Sequence, residues 1–247
     1  MKNIKSINEF WGAVIRRDMS SAVREEDKFH SKEEVQDYLE KEIKKQGKNV
    51  IIKNLDVSGI EDLSNLFDGI LDFDGLLYGV TTLDLSGWNT KGVKNMKGMF
   101  YGCDYLTNLN LSGWDTSGVS TMFNMFGECT SIEEINFDGW DVSNVTDMGE
   151  MFYACGSLRS LDLSGWNTAA TQNMSHMFHD CEDLVYLDLS GWKFNSLKYC
   201  DDMFSGCEVL THLIIPEWEF GSDVELNFMF GDCPAPYKVE DNKIVKK

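Results

Sequence analysis

The chain has 247 residues, of which 43% are hydrophobic and 12% aromatic, with three prolines. That supplies enough apolar material for a packed core and excludes a disordered chain. The formal charge is −19, and residues 1–52 contribute none of it: they hold 11 Lys/Arg against 10 Asp/Glu. Between residues 101 and 190, Arg159 is the sole Lys/Arg among 14 acids. Such a field disfavours nucleic acid and anionic membranes, and favours a protein partner with a basic patch. No apolar run reaches the roughly 18 residues of a membrane span. The opening MKNIKSINEFWGAVIRR shows no signal-peptide apolar region, so a cytoplasmic or virion-associated location with reduced thiols is expected.

Residues 1–50 read as helical. Ile7, Phe10, Trp11, Val14 and Ile15 suit a first short helix. Ser31-Lys-Glu-Glu34 is a capping box, Val35, Tyr38, Leu39 and Ile43 share one helical face, and Gly47 is a stop. Two roles stay open: a cap that seals the first strand, or a docking segment in which Phe10, Trp11, Arg16 and Arg17 form an aromatic–basic anchor.

Residues 51–79 read as an atypical first turn of a repeat. Leu55-Asp-Val-Ser-Gly59 resembles Leu83-Asp-Leu-Ser-Gly87, and Leu63-x-x-Leu66-Phe67 resembles Met96-x-x-Met99-Phe100. A strand is therefore expected at Leu55, followed by a shortened return and a seven-residue link.

Six uninterrupted repeats of 26 residues fill 80–235. Tryptophan recurs at Trp88, Trp114, Trp140, Trp166, Trp192 and Trp218, and cysteine at Cys103, Cys129, Cys155, Cys181, Cys207 and Cys233. Met-Phe pairs keep the same step. One copy, LTNLNLSGWDTSGVSTMFNMFGECTS, begins with apolar residues at alternate positions, Leu109 and Leu111, which predicts a short strand. Ser112-Gly113 turns the chain, and Trp114 closes the corner. The spacing Val119, Met122, Met125, Phe126 predicts a short helical or 3₁₀ return. No single unit can bury its apolar face, so the units must stack. The expected fold is an α/β repeat solenoid: a leucine-rich-repeat-like right-handed coil with a parallel sheet on one face and a helical N-terminal cap. The cysteines are expected as buried thiols, with Cys200 replacing a core Met. Pro234 and Pro236 end the array. In residues 236–247, Tyr237, Val239, Ile244 and Val245 should cover the last layer, leaving a solvated Lys-rich tail.

His176-x-x-His179 beside Cys181 has a metal-site appearance. However, both His columns vary and Cys181 is a ladder position, so no metal site and no cofactor are expected. Asn89, Asp115, Asp141 and Asn167 form a column of turn caps, with Ca²⁺ the weaker reading. Asn144-Val-Thr and Asn173-Met-Ser match glycosylation acceptors only because the repeat generates them. No nucleophile elbow or phosphate loop is present, so no enzyme activity is expected.

The best candidate surface is the outer strand face. One column, Asp84, Asn110, Asn136, Asp162 and Asp188, is nearly uniform and would suit a side-chain ladder along the sheet. Its neighbour, Asn108, Glu134, Ser160, Tyr186 and His212, changes from coil to coil, as a surface reading an irregular partner would.

With LxxLxLSGW, VxxMxxMF and the terminal Cys in register over about residues 55–235, the chain resembles bacterial surface-protein leucine-rich repeats. It is most similar to the 26-residue repeats of mycoplasma and Listeria lipoproteins, relatives of the BspA-like group. The resemblance implies a solenoid used in adhesion or other protein binding, without enzyme activity, and a cell-surface location as the alternative. The expected function is thus recognition of a protein through an acidic strand-lined face. The alternatives are a structural, virion or assembly protein docked through residues 1–50, or an acidic mimic that inhibits a nucleic-acid-binding protein.

Overall fold

The structure is a computed structural model that describes residues 28–68, 79–216, 218, 220–240 and 243–246. The segment holding Ile7, Phe10, Trp11, Val14, Ile15, Arg16 and Arg17 lies outside the described residues.

Helix α1 (Lys32–Gln46) starts where the capping box places it. The Glu34 amide donates to Ser31 Oγ at 3.2 Å, while the Glu34 carboxylate accepts from the amide of His30, one residue before the cap. Gly47 ends the helix at φ 76°. Val35, Leu39 and Ile43 are buried, and Tyr38 lies half outside against Phe29. The helix also closes the open edge of the first coil with side chains. Gln46 exchanges both hydrogen bonds with Ile51, donating to its carbonyl and accepting from its amide. Lys32 Nζ and Gln36 Nε2 donate to the Ser64 and Leu66 carbonyls. These bonds take the place of a preceding strand.

Seven three-residue strands follow: β1 (Asn49–Ile51), β2 (Thr82–Asp84), β3 (Asn108–Asn110), β4 (Glu134–Asn136), β5 (Ser160–Asp162), β6 (Tyr186–Asp188) and β7 (His212–Ile214). They pair in parallel, each with its sequence neighbour except at β4 and β5, and Leu83, Leu109, Leu161, Leu187 and their equivalents point inward.

The first coil has a different register from the one expected. Its strand is β1, with Val50 opposite Leu83. Asp56 pairs with Asn89, so Leu55 fills the place of Trp88 rather than that of Leu83. The Leu-Asp-Val-Ser-Gly likeness misleads because Asp56 performs the turn-capping job of Asn89, accepting from the Ser58 amide. This coil is lengthened rather than shortened, and the extra residues fall between Asp68 and Gly79.

The returns are not helical. They are successive hydrogen-bonded turns, tied to the next coil by a second line of parallel bridges running Asp62, Asn95, Thr121, Asp147, Asn173, Tyr199, Glu225. Residues one coil apart share left-handed backbone: Asn124, Glu150, His176, Asp202 and Phe228 have φ between 51° and 57°. Hydrogen bonds to the next coil hold this conformation, for example from the Glu150 amide to the Ser175 carbonyl at 2.9 Å. The three-and-four spacing of buried Met and Phe therefore marks a tight triangular corner rather than a helix.

Inside, seven phenyl rings form one column from Phe67 to Phe230. Neighbouring centroids are 4.7–5.8 Å apart and nearly parallel. Trp88, Trp114, Trp140 and Trp166 stack likewise at 5.6–6.4 Å. The rows carry their own polar bonds. Indole nitrogens of Trp88, Trp114, Trp140 and Trp192 donate to carbonyls of the preceding coil. The thiols of Cys129, Cys155, Cys181 and Cys207 donate to the Phe carbonyl of the preceding coil at 3.0–3.2 Å. All seven cysteines are buried. Burial, with a smaller contribution from neighbouring thiols, pushes Cys155, Cys181 and Cys207 far up, so the ladder is one of neutral thiols.

The strand ladder divides between β4 and β5, giving sheets β1-β2-β3-β4 and β5-β6-β7. Phe137 stands at the division, where Leu111 and Leu163 occupy the equivalent sites. Its ring meets Trp140 and Trp166 edge-on at 5.0 and 5.5 Å. A phenyl group is too wide for the leucine slot, and it spreads the strand face. The return face stays joined, for example from the Met148 amide to the Asn173 carbonyl at 2.9 Å.

At the far end, Tyr237, Val239 and Ile244 pack on the core, whereas Val245, expected with them, is not among the residues packed there. The Lys-rich tail is itself structured: β8 (Tyr237–Glu240) pairs antiparallel with β9 (Lys243–Lys246). Among the described residues no helix is long and apolar enough to cross a membrane.

Two stability measurements follow. Ala154 sits at φ 54°, where a Cβ is strained, so Ala154→Gly should stabilise the fold by about 1 kcal/mol in urea denaturation, the reverse of the usual sign. In hydrogen exchange, the amides of Phe137 and Ser160 should be less protected than those of Leu111 and Tyr186, and Phe137→Leu should slow them. Equal protection across the four sites would remove the division of the sheet.

Candidate functional site

The outer face of the strands presents the two columns singled out from sequence, and the structure gives them different work. Asp84, Asn110, Asn136, Asp162 and Asp188 do not form a ladder along the sheet. Each folds back within its own coil, its Oδ1 accepting from the amide two residues on, at 2.9–3.1 Å. These are Asx turns that fix the Ser-Gly corner after each strand. There Gly87, Gly113 and Gly139 take φ of 74°, 79° and 92°. Asp84 is fully buried, with Lys53 Nζ 2.8 Å from its Oδ2, and Asn110 is buried as well. Both are withdrawn from any partner. Asn136 and Asp188 are half-buried, and Asp162 is exposed.

In the second column, Asn108, Glu134, Ser160 and Tyr186 are half-buried and His212 is exposed. Several are oriented by neighbours. Thr107 Oγ1 donates to Asn108 Oδ1 at 2.8 Å, Tyr186 donates its hydroxyl to Asp188 Oδ2 at 3.3 Å, and Thr211 Oγ1 lies 2.9 Å from His212 Nδ1. Burial, and next the Asp188 charge, raise the Tyr186 phenol above its ordinary range, so it remains a neutral donor. Glu134 lies at the divided sheet. Its Oε2 has no solvent contact and no hydrogen-bond partner. Burial first, and Glu133 second, raise its pKa above the usual carboxylate range, against a hydrogen bond with Asn108 that lowers it.

The corner column behaves as expected. Asn89, Asp115, Asp141 and Asn167 each accept from an amide two residues on, at 2.9–3.4 Å. The Ser143 hydroxyl and amide hold Asp141 below the usual carboxylate range. A further column escaped sequence reasoning. The buried hydroxyls of Thr90, Thr116 and Thr168 donate to the corner carbonyl of the next coil at 2.8–2.9 Å. Its only sequence signal was Thr two residues after Trp in three copies. Asn144 and Asn173 use their side-chain amides on Ser117 O and Asp147 Oδ1.

The His-His-Cys grouping comes apart in three dimensions. Cys181 points into the core, whereas His176 and His179 lie on the return surface with ring centroids 5.4 Å apart. The carboxylates nearest His176 come from the next coil, a juxtaposition that reading along one copy cannot reveal.

A family model described as "Mycoplasma protein of unknown function, DUF285" matches residues 19–136, 74–160 and 133–241. Among solved structures, a leucine-rich repeat protein of T. pallidum is similar at 16% identity, covering 68% of this chain and 74% of its own, with a TM-score of 0.27. No curated protein matches.

Glu134 offers a test of the electrostatics on this face. Its folded-state pKa is raised, so the stability it contributes is full below the unfolded pKa and is lost as pH rises through the folded one. Glu134→Gln should therefore raise the melting temperature at pH 7, by less than about 1 kcal/mol equivalent for a half-exposed group, and change it little near pH 3.

Proposed function

Because the chain belongs to the DUF285 family of Mycoplasma-type repeats, we propose that it is a non-enzymatic recognition scaffold that binds a protein partner through the outer strand face. The observation that carries this reading is the column Asn108, Glu134, Ser160, Tyr186, His212. It presents five different side chains from strand positions that are otherwise repeated. Asn136, Asp162 and Asp188 flank it. A stacked array holds such groups in place, so binding loses little backbone entropy. The chain's charge of −19 favours a partner segment rich in Lys or Arg and speeds its approach. On this reading the phenol of Tyr186 and the carboxylate of Asp188 form the centre of the contact, since an aromatic beside an acid suits a guanidinium or ammonium group.

The test is affinity capture with the full chain, followed by measurement of the isolated partner's affinity. Tyr186→Ala and Asp188→Asn should each weaken binding by about tenfold, equivalent to about 1.4 kcal/mol. Tyr199→Ala, on the return face, should leave it unchanged. Binding should weaken as salt rises from 50 to 500 mM. A partner indifferent to both strand-face substitutions would overturn the reading.

A further inference from the structure

The return surface carries a mixed group of nitrogen and carboxylate donors that the strand-face reading does not use. His176 and Asp202 occupy the same position in consecutive coils, both in left-handed backbone at φ 55° and 53°. Each is fixed by a ladder bond to the following coil: His176 N–H to Asp201 O at 2.9 Å, and Asp202 N–H to Asn227 O at 2.8 Å. Asp201 stands beside them. One side-chain donor atom from each of His176, Asp201 and Asp202 lies within 4.8 Å of the other two. The three are half-buried, which weakens hydration of the carboxylates without closing the site to an ion.

Two details favour a ligand over an ordinary ion pair. His176 Nε2 is 3.7 Å from Asp201 Oδ2, longer than the roughly 2.7–2.9 Å of a charge-assisted hydrogen bond. Ligand atoms around an ion bound at about 2.0–2.2 Å sit roughly 3–4 Å apart, so this spacing closes on an ion with small side-chain rotations. Ser175 Oγ donates to Asp201 Oδ1 at 3.0 Å, orienting that carboxylate as an outer-shell partner does.

We propose that His176, Asp201 and Asp202 bind one divalent transition-metal ion of the Zn²⁺ or Co²⁺ type, with water completing its coordination. An imidazole with two carboxylates is a borderline donor set, which disfavours Ca²⁺ and Mg²⁺. The ion bridges two consecutive coils on the return face. The expectation from sequence of no metal site rested on the missing further ligands. Asp201 and Asp202 supply them, from a coil 26 residues later.

The test uses the full chain, stripped with a chelator and titrated with CoCl₂ and ZnCl₂ by calorimetry and absorption. One ion per chain should bind in the micromolar range, with selective perturbation of the His176 imidazole resonances by Co²⁺. His176→Gln and Asp202→Asn should each weaken binding at least about tenfold, and His30→Gln should not. The melting temperature should rise with Zn²⁺, and the rise should vanish in His176→Gln. Asp201→Asn serves as a further variant should one of these fold poorly by circular dichroism. Binding of several weak ions insensitive to His176→Gln, or none below millimolar concentration, overturns the proposal.

Discussion

The structure depends on one constraint: the buried indole, thiol and Thr hydroxyl donors of each coil find their acceptors on an adjacent coil, at fixed sequence offsets. The Trp indole and the Cys thiol donate backward, to carbonyls 29 residues earlier, while the buried Thr hydroxyl donates 25 residues forward. Leaving one such group buried and unmade costs about 1–3 kcal/mol. Shifting one coil by a residue would break several together, against a total stability of about 5–15 kcal/mol for an ordinary domain. The apolar columns by themselves would tolerate slippage, because a phenyl ring packs on any phenyl ring. It is the directional bonds inside those columns that hold six copies to an unvaried length.

Where a neighbouring coil is missing, the chain must supply substitutes, and the two ends do so differently. At the first coil, Lys32, Gln36 and Gln46 take up the backbone groups of the exposed edge, so one amphipathic helix stands in for a whole turn of solenoid. At the last coil, Tyr237, Val239 and Ile244 pack on the core instead. Trp218 is buried there without the bond to the preceding coil that Trp88, Trp114, Trp140 and Trp192 make, and Phe194 packs against it edge-on at 4.4 Å. An aromatic contact there replaces part of what the stacked indoles contribute elsewhere.

The columns of Leu, Met, Phe, Trp and Cys were legible in the sequence because a period in apolar residues maps directly onto burial. The conformation of the returns was not. Glu150, His176 and Phe228 carry no shared side-chain signal, and their left-handed backbone is imposed by bonds to another coil. The first-coil register misled for a related reason. Asp56 fits both the strand-end turn and the corner turn, since both use an Asx cap, and only pairing decides between them. On the candidate face, the sequence placed Asp84 and Asn110 among the outward side chains, whereas both are buried and held by local bonds. The approach of Asp201 and Asp202 to His176 was hidden because it crosses from one copy to the next.

Repetition also explains why departures from it are the informative places. A column of like residues in like surroundings presents a uniform surface, and uniformity distinguishes no partner. Two departures stand out. At Phe137 the strand face divides while the return face stays joined, and Glu134 beside it keeps a buried carboxylate oxygen without a hydrogen-bond partner. At His176 the left-handed column places an imidazole over a carboxylate. Both departures lie on the outside of a core whose rows continue beneath them, from Phe126 through Phe152 and Phe178 to Phe204. The core therefore bears the cost of stability, and the surface is left free to vary in chemistry without changing position. That separation is the physical basis on which a repeat of this kind can present unlike side chains at fixed spacing.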